Sequence, residues 1–218
     1  MLLVYNITDY YYDYKDNLEL TKKLEKVKSN TDFLKLKKIN SEVVGIIKIK
    51  NTNINYPIVQ SSDNTYYLNH SYTKEKSSAG AIFLDYRNDL ENLSKNNIIY
   101  GHHRLDNTMF GSLSNLFEEE WLNNKDNYYI TVDTREEKLT FKIFSVYTIS
   151  KESYYIKTYF SNTKYFKEFL ETIMKRSIFN FGTNVNTNDK ILTLSTCKNN
   201  FGKRIVVHAK LLKKEETN

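Results

Sequence analysis

Two periodicities of apolar residues alternate along this chain. Between residues 12 and 38, Leu20, Leu24 and Val27 recur at spacings of four and three among charged residues, which predicts an apolar stripe on a helix or helix pair. From residue 43 the pattern shortens to that of strands. Val43-Val44-Gly45-Ile46-Ile47-Lys48-Ile49 is followed by the turn-rich Lys50-Asn51-Thr52-Asn53, then by strand patterns over 56–59, 81–84, 97–100, 128–132 and 138–149. In the last of these, Leu139, Phe141 and Ile143 alternate with Thr140 and Lys142. Two helical stretches interrupt the series, one over 109–122 and one over 162–176. In the second, Phe166, Phe169, Leu170 and Ile173 fall at helical spacing. Two further strands, about 190–197 and 204–213, end the series. Regular short strands at this spacing predict a closed barrel or a sandwich.

The bulk numbers narrow the picture. At 218 residues the chain suits one substantial domain, and nothing in it reads as a linker, an internal repeat or a low-complexity segment. Tyrosine (18) and phenylalanine (12) are abundant, against one proline and six glycines, which favours a strand-rich core with some helices. The net charge of +6 raises the question of an anionic partner, but 32 basic residues are interleaved with 26 acidic ones and no basic run appears. A mixed, solvated surface is the simpler reading, and no nucleic-acid partner is expected. No stretch approaches the ~18 apolar residues needed to cross a bilayer. Met1-Leu2-Leu3-Val4-Tyr5-Asn6-Ile7 is too short even for the core of a signal peptide, so the expectation is a soluble protein or a soluble fragment whose anchor preceded Met1.

One cysteine, Cys197, excludes an internal disulfide and any multi-cysteine metal site. It is either a small buried hydrophobe or a reactive thiol. Its strand places Ile191, Thr193, Ser195 and Cys197 on one face and Leu192, Leu194 and Thr196 on the other. In the final strand Ile205, Val207, Ala209 and Leu211 form an apolar core face, so Arg204, which shares the other face with Val206 and His208, points toward a more polar surface. Residues 198–203 alone separate Cys197 from Arg204. If the two strands pair as an antiparallel hairpin, a guanidinium stands beside the thiol. A cation there favours the thiolate and can bind a developing oxyanion. The plain alternative is a surface arginine near a turn.

A cysteine nucleophile also needs a proton-transfer partner. Of four histidines, His102 and His103 follow Ile98-Ile99-Tyr100-Gly101 at a strand end, where an extended backbone turns the two rings to opposite sides so that only one serves. His208 lies mid-strand and reads as structural, and His70 reads as a loop or turn residue.

Ile99-Tyr100-Gly101-His102, Thr193-Leu194-Ser195-Thr196-Cys197 and Arg204-Ile205-Val206-Val207-His208 together resemble the sortase family. The finer likeness is to class B sortases. It includes Val43-Val44-Gly45-Ile46-Ile47-Lys48-Ile49, Asn53-Ile54-Asn55-Tyr56-Pro57-Ile58-Val59-Gln60, Asp63-Asn64-Thr65-Tyr66-Tyr67-Leu68, Gly80-Ala81-Ile82-Phe83-Leu84-Asp85-Tyr86-Arg87-Asn88 and Thr108-Met109-Phe110-Gly111. The likeness runs from about residue 40 to 213.

That resemblance implies a mainly β fold: a closed eight-stranded sortase-type barrel with N-terminal and peripheral helices. Residues 1–40 would be a helical segment packed on the barrel and 41–218 the catalytic unit. It implies His102 as the catalytic histidine, Cys197 as the nucleophile and Arg204 as the catalytic arginine, with Asn64, Leu68, Tyr100, Tyr155, Ile156 and Ser195 lining the groove for a sorting-signal peptide. The loop over 198–203 departs from the family pattern: it lacks an acidic residue soon after the cysteine and is a residue shorter. The implied activity is cleavage of a C-terminal sorting pentapeptide after threonine, through a cysteine thioacyl intermediate. The surface protein is then transferred to a peptidoglycan precursor amine. The implied setting is the extracellular face of the cell membrane, reached through an N-terminal anchor, with neither metal nor cofactor. A hydrolytic cysteine endopeptidase with the same three residues, or a non-catalytic aromatic-rich binding module, are the alternatives.

Overall fold

The computed structural model describes residues 2–24, 30–150, 152–196 and 202–217. Every predicted strand is present: β1 (Val43–Ile49), β2 (Asn55–Val59), β3 (Ile82–Leu84), β4 (Asn96–Gly101), β5 (Tyr129–Asp133), β6 (Glu137–Ile149), β7 (Ile191–Thr196) and β8 (Arg204–Glu216). They close into a barrel in the order β1-β2-β3-β4-β7-β8-β6-β5, β5 pairing back onto β1. Closure removes the rows of unpaired backbone donors and acceptors that an open sheet leaves at its edges. Two pairings are parallel, β2 with β3 and β4 with β7; the rest are antiparallel.

Alternation along β7 and β8 divides their side chains between two apolar clusters. Leu192, Leu194, Ile205, Val207 and Ala209 join an interior cluster to which all eight strands contribute. Ile191 and Val206, on the opposite faces, join a second cluster closed by α4 (Thr163–Lys175), whose Phe166, Phe169, Leu170 and Ile173 are all buried. Each such side chain contributes roughly 1.5–3 kcal/mol when taken from water. α4 begins at Asn162, whose side chain accepts from the Tyr165 amide at 3.1 Å.

Arg204 opens β8 partly exposed at the barrel rim, while further along the same face α4 covers Val206 and His208, which are fully buried.

Two helical expectations change. In place of one helix over 109–122 there is a 3₁₀ helix, Gly111–Phe117, and a short helix α3 (Glu119–Asn123). Glu118 between them is extended (φ −91°, ψ 136°). Leu113 and Leu116, both fully buried, sit three apart, which suits a three-residue turn. At the N-terminus α1 (Leu2–Leu24) starts well before residue 12 and is followed by α2 (Asn30–Ile39). The predicted stripe falls outside the described residues, in the side chains of Leu20 and Leu24 and in Val27. α1 is fastened instead through Asp13, which accepts from Ser77 Oγ at 2.8 Å and from Ser78 Oγ at 2.5 Å. Phe33 and Leu36 of α2 enter the interior cluster. Among the described residues no helix is long and apolar enough to cross a membrane.

Candidate active site

Three strand ends meet on one rim of the barrel. Because β4 and β7 run parallel, with Tyr100 opposite Ser195 and Gly101 opposite Thr196, both leave the sheet at the same place. β8 enters there, antiparallel to β7, with Ser195 opposite Val206. The residue after Gly101 is His102, the residue after Thr196 is Cys197, and β8 opens with Arg204. Cys197 itself lies outside the described residues, as do residues 198–201 of the loop that departs from the family pattern.

At this rim lies a cleft of about 440 Å³. It brings together His102, Arg204, Asn64, Leu68, Tyr100, Tyr155, Ile156 and Ser195, the eight other residues singled out in the sequence. Phe83, Ser153 and Thr196 also line it and escape the sequence reading. Phe83 sits in a quoted strand and Thr196 beside the cysteine, so adjacency is the available signal for those two. Nothing local marks Ser153.

The approach to His102 requires glycine. A Cβ on Gly101 would stand 2.8 Å from the Phe110 ring and closer still to Ile82. After it the chain makes a tight loop in which the Phe110 amide donates to the His102 carbonyl at 2.9 Å and His103 bridges Met109. Met109 holds a left-handed backbone (φ 51°), an uncommon state for that side chain, so the surrounding loop must over-determine it. Inside the loop Arg104, 5% exposed, pairs with Asp106 at 2.8 Å and reaches Asp13 of α1 at 3.8 Å.

His102 is half-buried, and burial is the main cause that drives its pKa below the ordinary histidine value. A hydrogen bond to the Leu68 backbone pulls the other way and the nearby Arg104 charge adds to the depression. Its Nε2 is shielded from solvent yet finds no hydrogen-bond partner among the described residues. His103 Nδ1 is also unpartnered, but that ring does not line the cleft. The alternation expected of the pair therefore leaves His102 on the cleft side.

Behind the cleft wall the side chain of Asp85 is fully buried. It accepts from Arg87 Nε at 2.8 Å and Nη2 at 2.6 Å, from Asn64 Nδ2 at 3.0 Å and from the Tyr100 hydroxyl at 2.8 Å. Burial by itself would raise this carboxyl, but the Arg87 and Tyr100 hydrogen bonds outweigh it and hold its pKa below the usual range.

The opposite wall hangs from a second network. Tyr155 and Ser195 share a hydroxyl–hydroxyl bond of 3.0 Å. Asn96 Nδ2 donates to the carbonyls of Tyr155 (3.1 Å) and Lys157 (2.8 Å), which turns its Oδ1 toward Thr193 Oγ1 at 2.6 Å. The Thr193 proton is thereby committed, so Thr193 accepts from His208 Nδ1 at 2.8 Å. That leaves Nε2 to accept from the Tyr147 hydroxyl at 2.9 Å, and Tyr147 accepts from Tyr154 at 3.2 Å. His208 is thus a neutral Nδ1–H tautomer, and complete burial pushes its pKa down to about 3.

Among the described residues no three His, Cys, Asp or Glu side chains are grouped to hold a metal ion. The arrangement supplies a cationic side chain, a buried imidazole nitrogen and an aromatic-walled cleft at the point where a lone thiol enters the chain. That is the equipment of thiol acyl transfer.

A family model described as the Sortase domain matches residues 47–212. Sortase B of Staphylococcus aureus (strain NCTC 8325 / PS 47) is 39% identical over 184 residues, spanning 83% of this chain and 75% of that protein. The fold superposes on a Staphylococcus aureus sortase B–substrate complex with a TM-score of 0.84 and 34% identity, covering 94% of this chain and 99% of that one. It superposes equally on a sortase B complexed with triglycine, at 0.84 and 35% identity, over 93% and 98% of the two chains.

Proposed function

The chain belongs to the sortase family, class B, and is a cysteine transpeptidase; on that premise we propose that it cuts a sorting signal after threonine and joins the surface protein to a peptidoglycan amine. Cys197 thiolate attacks the threonine carbonyl carbon, and Arg204 donates to the oxyanion that forms. As the tetrahedral carbon collapses, the C–N bond breaks and His102 gives its proton to the leaving amine, leaving a thioester on Cys197. An incoming amine then attacks that carbonyl, His102 takes its proton, and the thiolate leaves. Asn64, Leu68, Tyr100, Tyr155, Ile156 and Ser195 hold the peptide. The donor substrate is the C-terminal signal of a surface protein, and the enzyme works at the outer face of the cell membrane behind an N-terminal anchor.

The observation that carries this reading is the parallel register of β4 with β7, which sets the His102 end of one strand beside the Thr196 end of the other. The unpartnered His102 Nε2 at the cleft supports the proton-transfer role. The sortase B structures with substrate and with triglycine support a peptide donor and an amine acceptor.

The test is a fluorogenic pool of the form Xaa-Xaa-Xaa-Thr-Xaa, incubated with and without a short amine such as triglycine. The expected result is a ligated product that grows with amine at the expense of the free acid, together with a Cys197 acyl adduct by mass spectrometry. Cleavage that ignores every amine, stem peptides included, would make the protein a hydrolytic peptidase and sink the proposal.

A further inference from the structure

Asp85 takes no part in the acyl transfer proposed above, yet it is the one fully buried carboxylate tied to the cleft among the described residues. Five hydrogen bonds converge on it: three from Arg87, counting its backbone amide at 3.0 Å, one from Asn64 and one from Tyr100. Two of these three partners, Asn64 and Tyr100, line the cleft. The third, Arg87, extends a fourth hydrogen bond, of 3.1 Å, to the carbonyl of Ile156, which lines it from the other side. One carboxylate therefore fixes a turn, a strand and a facing loop at once.

We propose that Asp85 is a positioning residue that presets the peptide cleft, an inference that rests on the transpeptidase reading above. Arg87 is itself exposed, so its pairing with Asp85 adds only modest net stability, and its use directly behind a cleft points to geometry. Asn64 is held at both ends, donating to Asp85 and accepting from the Tyr86 amide at 3.0 Å, so its amide cannot flip. Tyr100 commits its only proton to Asp85 and offers the cleft a ring and an acceptor oxygen. Groups locked before the peptide arrives lose no further rotamer freedom when it binds, and the benefit appears in binding rather than in the chemical step.

The experiment uses the full chain with the Xaa-Xaa-Xaa-Thr-Xaa pool and triglycine. Asp85→Asn keeps the shape of the side chain but turns one acceptor into a donor facing donors. KM for the best-cleaved peptide is expected to rise about tenfold while kcat changes less than about threefold. Alkylation of Cys197 by iodoacetamide, which needs no cleft wall, should keep its wild-type rate. A wild-type KM, or a fall in kcat and alkylation rate at unchanged KM, overturns the inference. Should Asp85→Asn fail to fold by circular dichroism, Arg87→Lys decides, since Arg87 does not line the cleft and the change breaks its two-pronged hold on Asp85 while keeping the charge. About a threefold rise in KM supports the role and a wild-type KM overturns it. Wild-type protein that never ligates the amine removes the transpeptidase reading and this inference with it; ligation with an unmoved KM removes Asp85 alone.

Discussion

His102 and His208 sit at two ends of the same idea. Burial drives the pKa of both rings down, and both have one ring nitrogen held by a partner. They differ at the other nitrogen. Nε2 of His208 accepts from Tyr147 inside a chain of hydrogen bonds whose direction is settled from Asn96 outward. Nε2 of His102 is equally dry and has no partner among the described residues. A buried polar atom left unpaired costs about 1–3 kcal/mol, and folding tolerates that only where something else gains. The satisfied ring therefore reads as architecture and the unsatisfied one as chemistry.

The sharpest way to break that contrast is to delete each ring. His102→Ala should lower turnover by about a thousandfold while moving the urea midpoint little. His208→Ala should do the reverse: the loss of its cavity-filling ring and the stranding of Tyr147 and Thr193 remove about 3 kcal/mol of stability. Turnover per folded molecule should stay within about threefold of wild type. Equal stability losses from the two variants would erase the distinction.

A comparable effect is expected from pH. Folded His208 binds a proton far less readily than the unfolded chain, so the unfolded state holds more protons between about pH 6.5 and 3. Stability is therefore complete above that window and falls as pH drops through it, by about 3 kcal/mol at pH 4 from this ring alone. His102 contributes with the same sign. Urea titrations across pH 4–7 check this, and His208→Leu should flatten the profile. A wild-type curve with no slope there would place water or a counter-charge on His208.

The smallest effect sharpens the His102 side. Arg104 depresses that ring, and Asp13 of α1 partly offsets Arg104 from 3.8 Å. Asp13→Asn should push the His102-controlled limb of the kcat/KM profile to lower pH, by a few tenths of a unit at low salt and less at high salt. A shift toward higher pH would show that α1 acts on His102 by another route.

How much of this is readable in the sequence depends on whether the cause is local. All eight strands are legible, and so is α4, because its apolar residues keep helical spacing. The 109–122 segment misleads because residues three apart fit a 3₁₀ turn and an α-helix alike, and only the extended Glu118 separates the two pieces. The surroundings of Val206 and His208 are hidden because α4, which covers them, is contributed by a distant part of the chain. His208 reads as structural from its mid-strand place, though its partners Thr193 and Tyr147 come from two other strands and Asn96, which orients Thr193, from a third. Asp85 stands in a quoted motif with no role attached, for its partners are also set by tertiary contact. Cys197 is singled out by its uniqueness and by resemblance, and it lies outside the described residues.

The parallel pairing of β4 with β7 has a last consequence, in the order of events during folding. For Gly101 and Thr196 to become neighbours, the long loop that carries β5, β6 and α4 must close. Closing so long a loop is entropically slow, and barrels dominated by non-local pairing fold on a scale of milliseconds to seconds. On the proposed chemistry, the His102 and Thr196 ends of the two strands come together only late, so a half-folded chain lacks the assembled rim on which that chemistry depends.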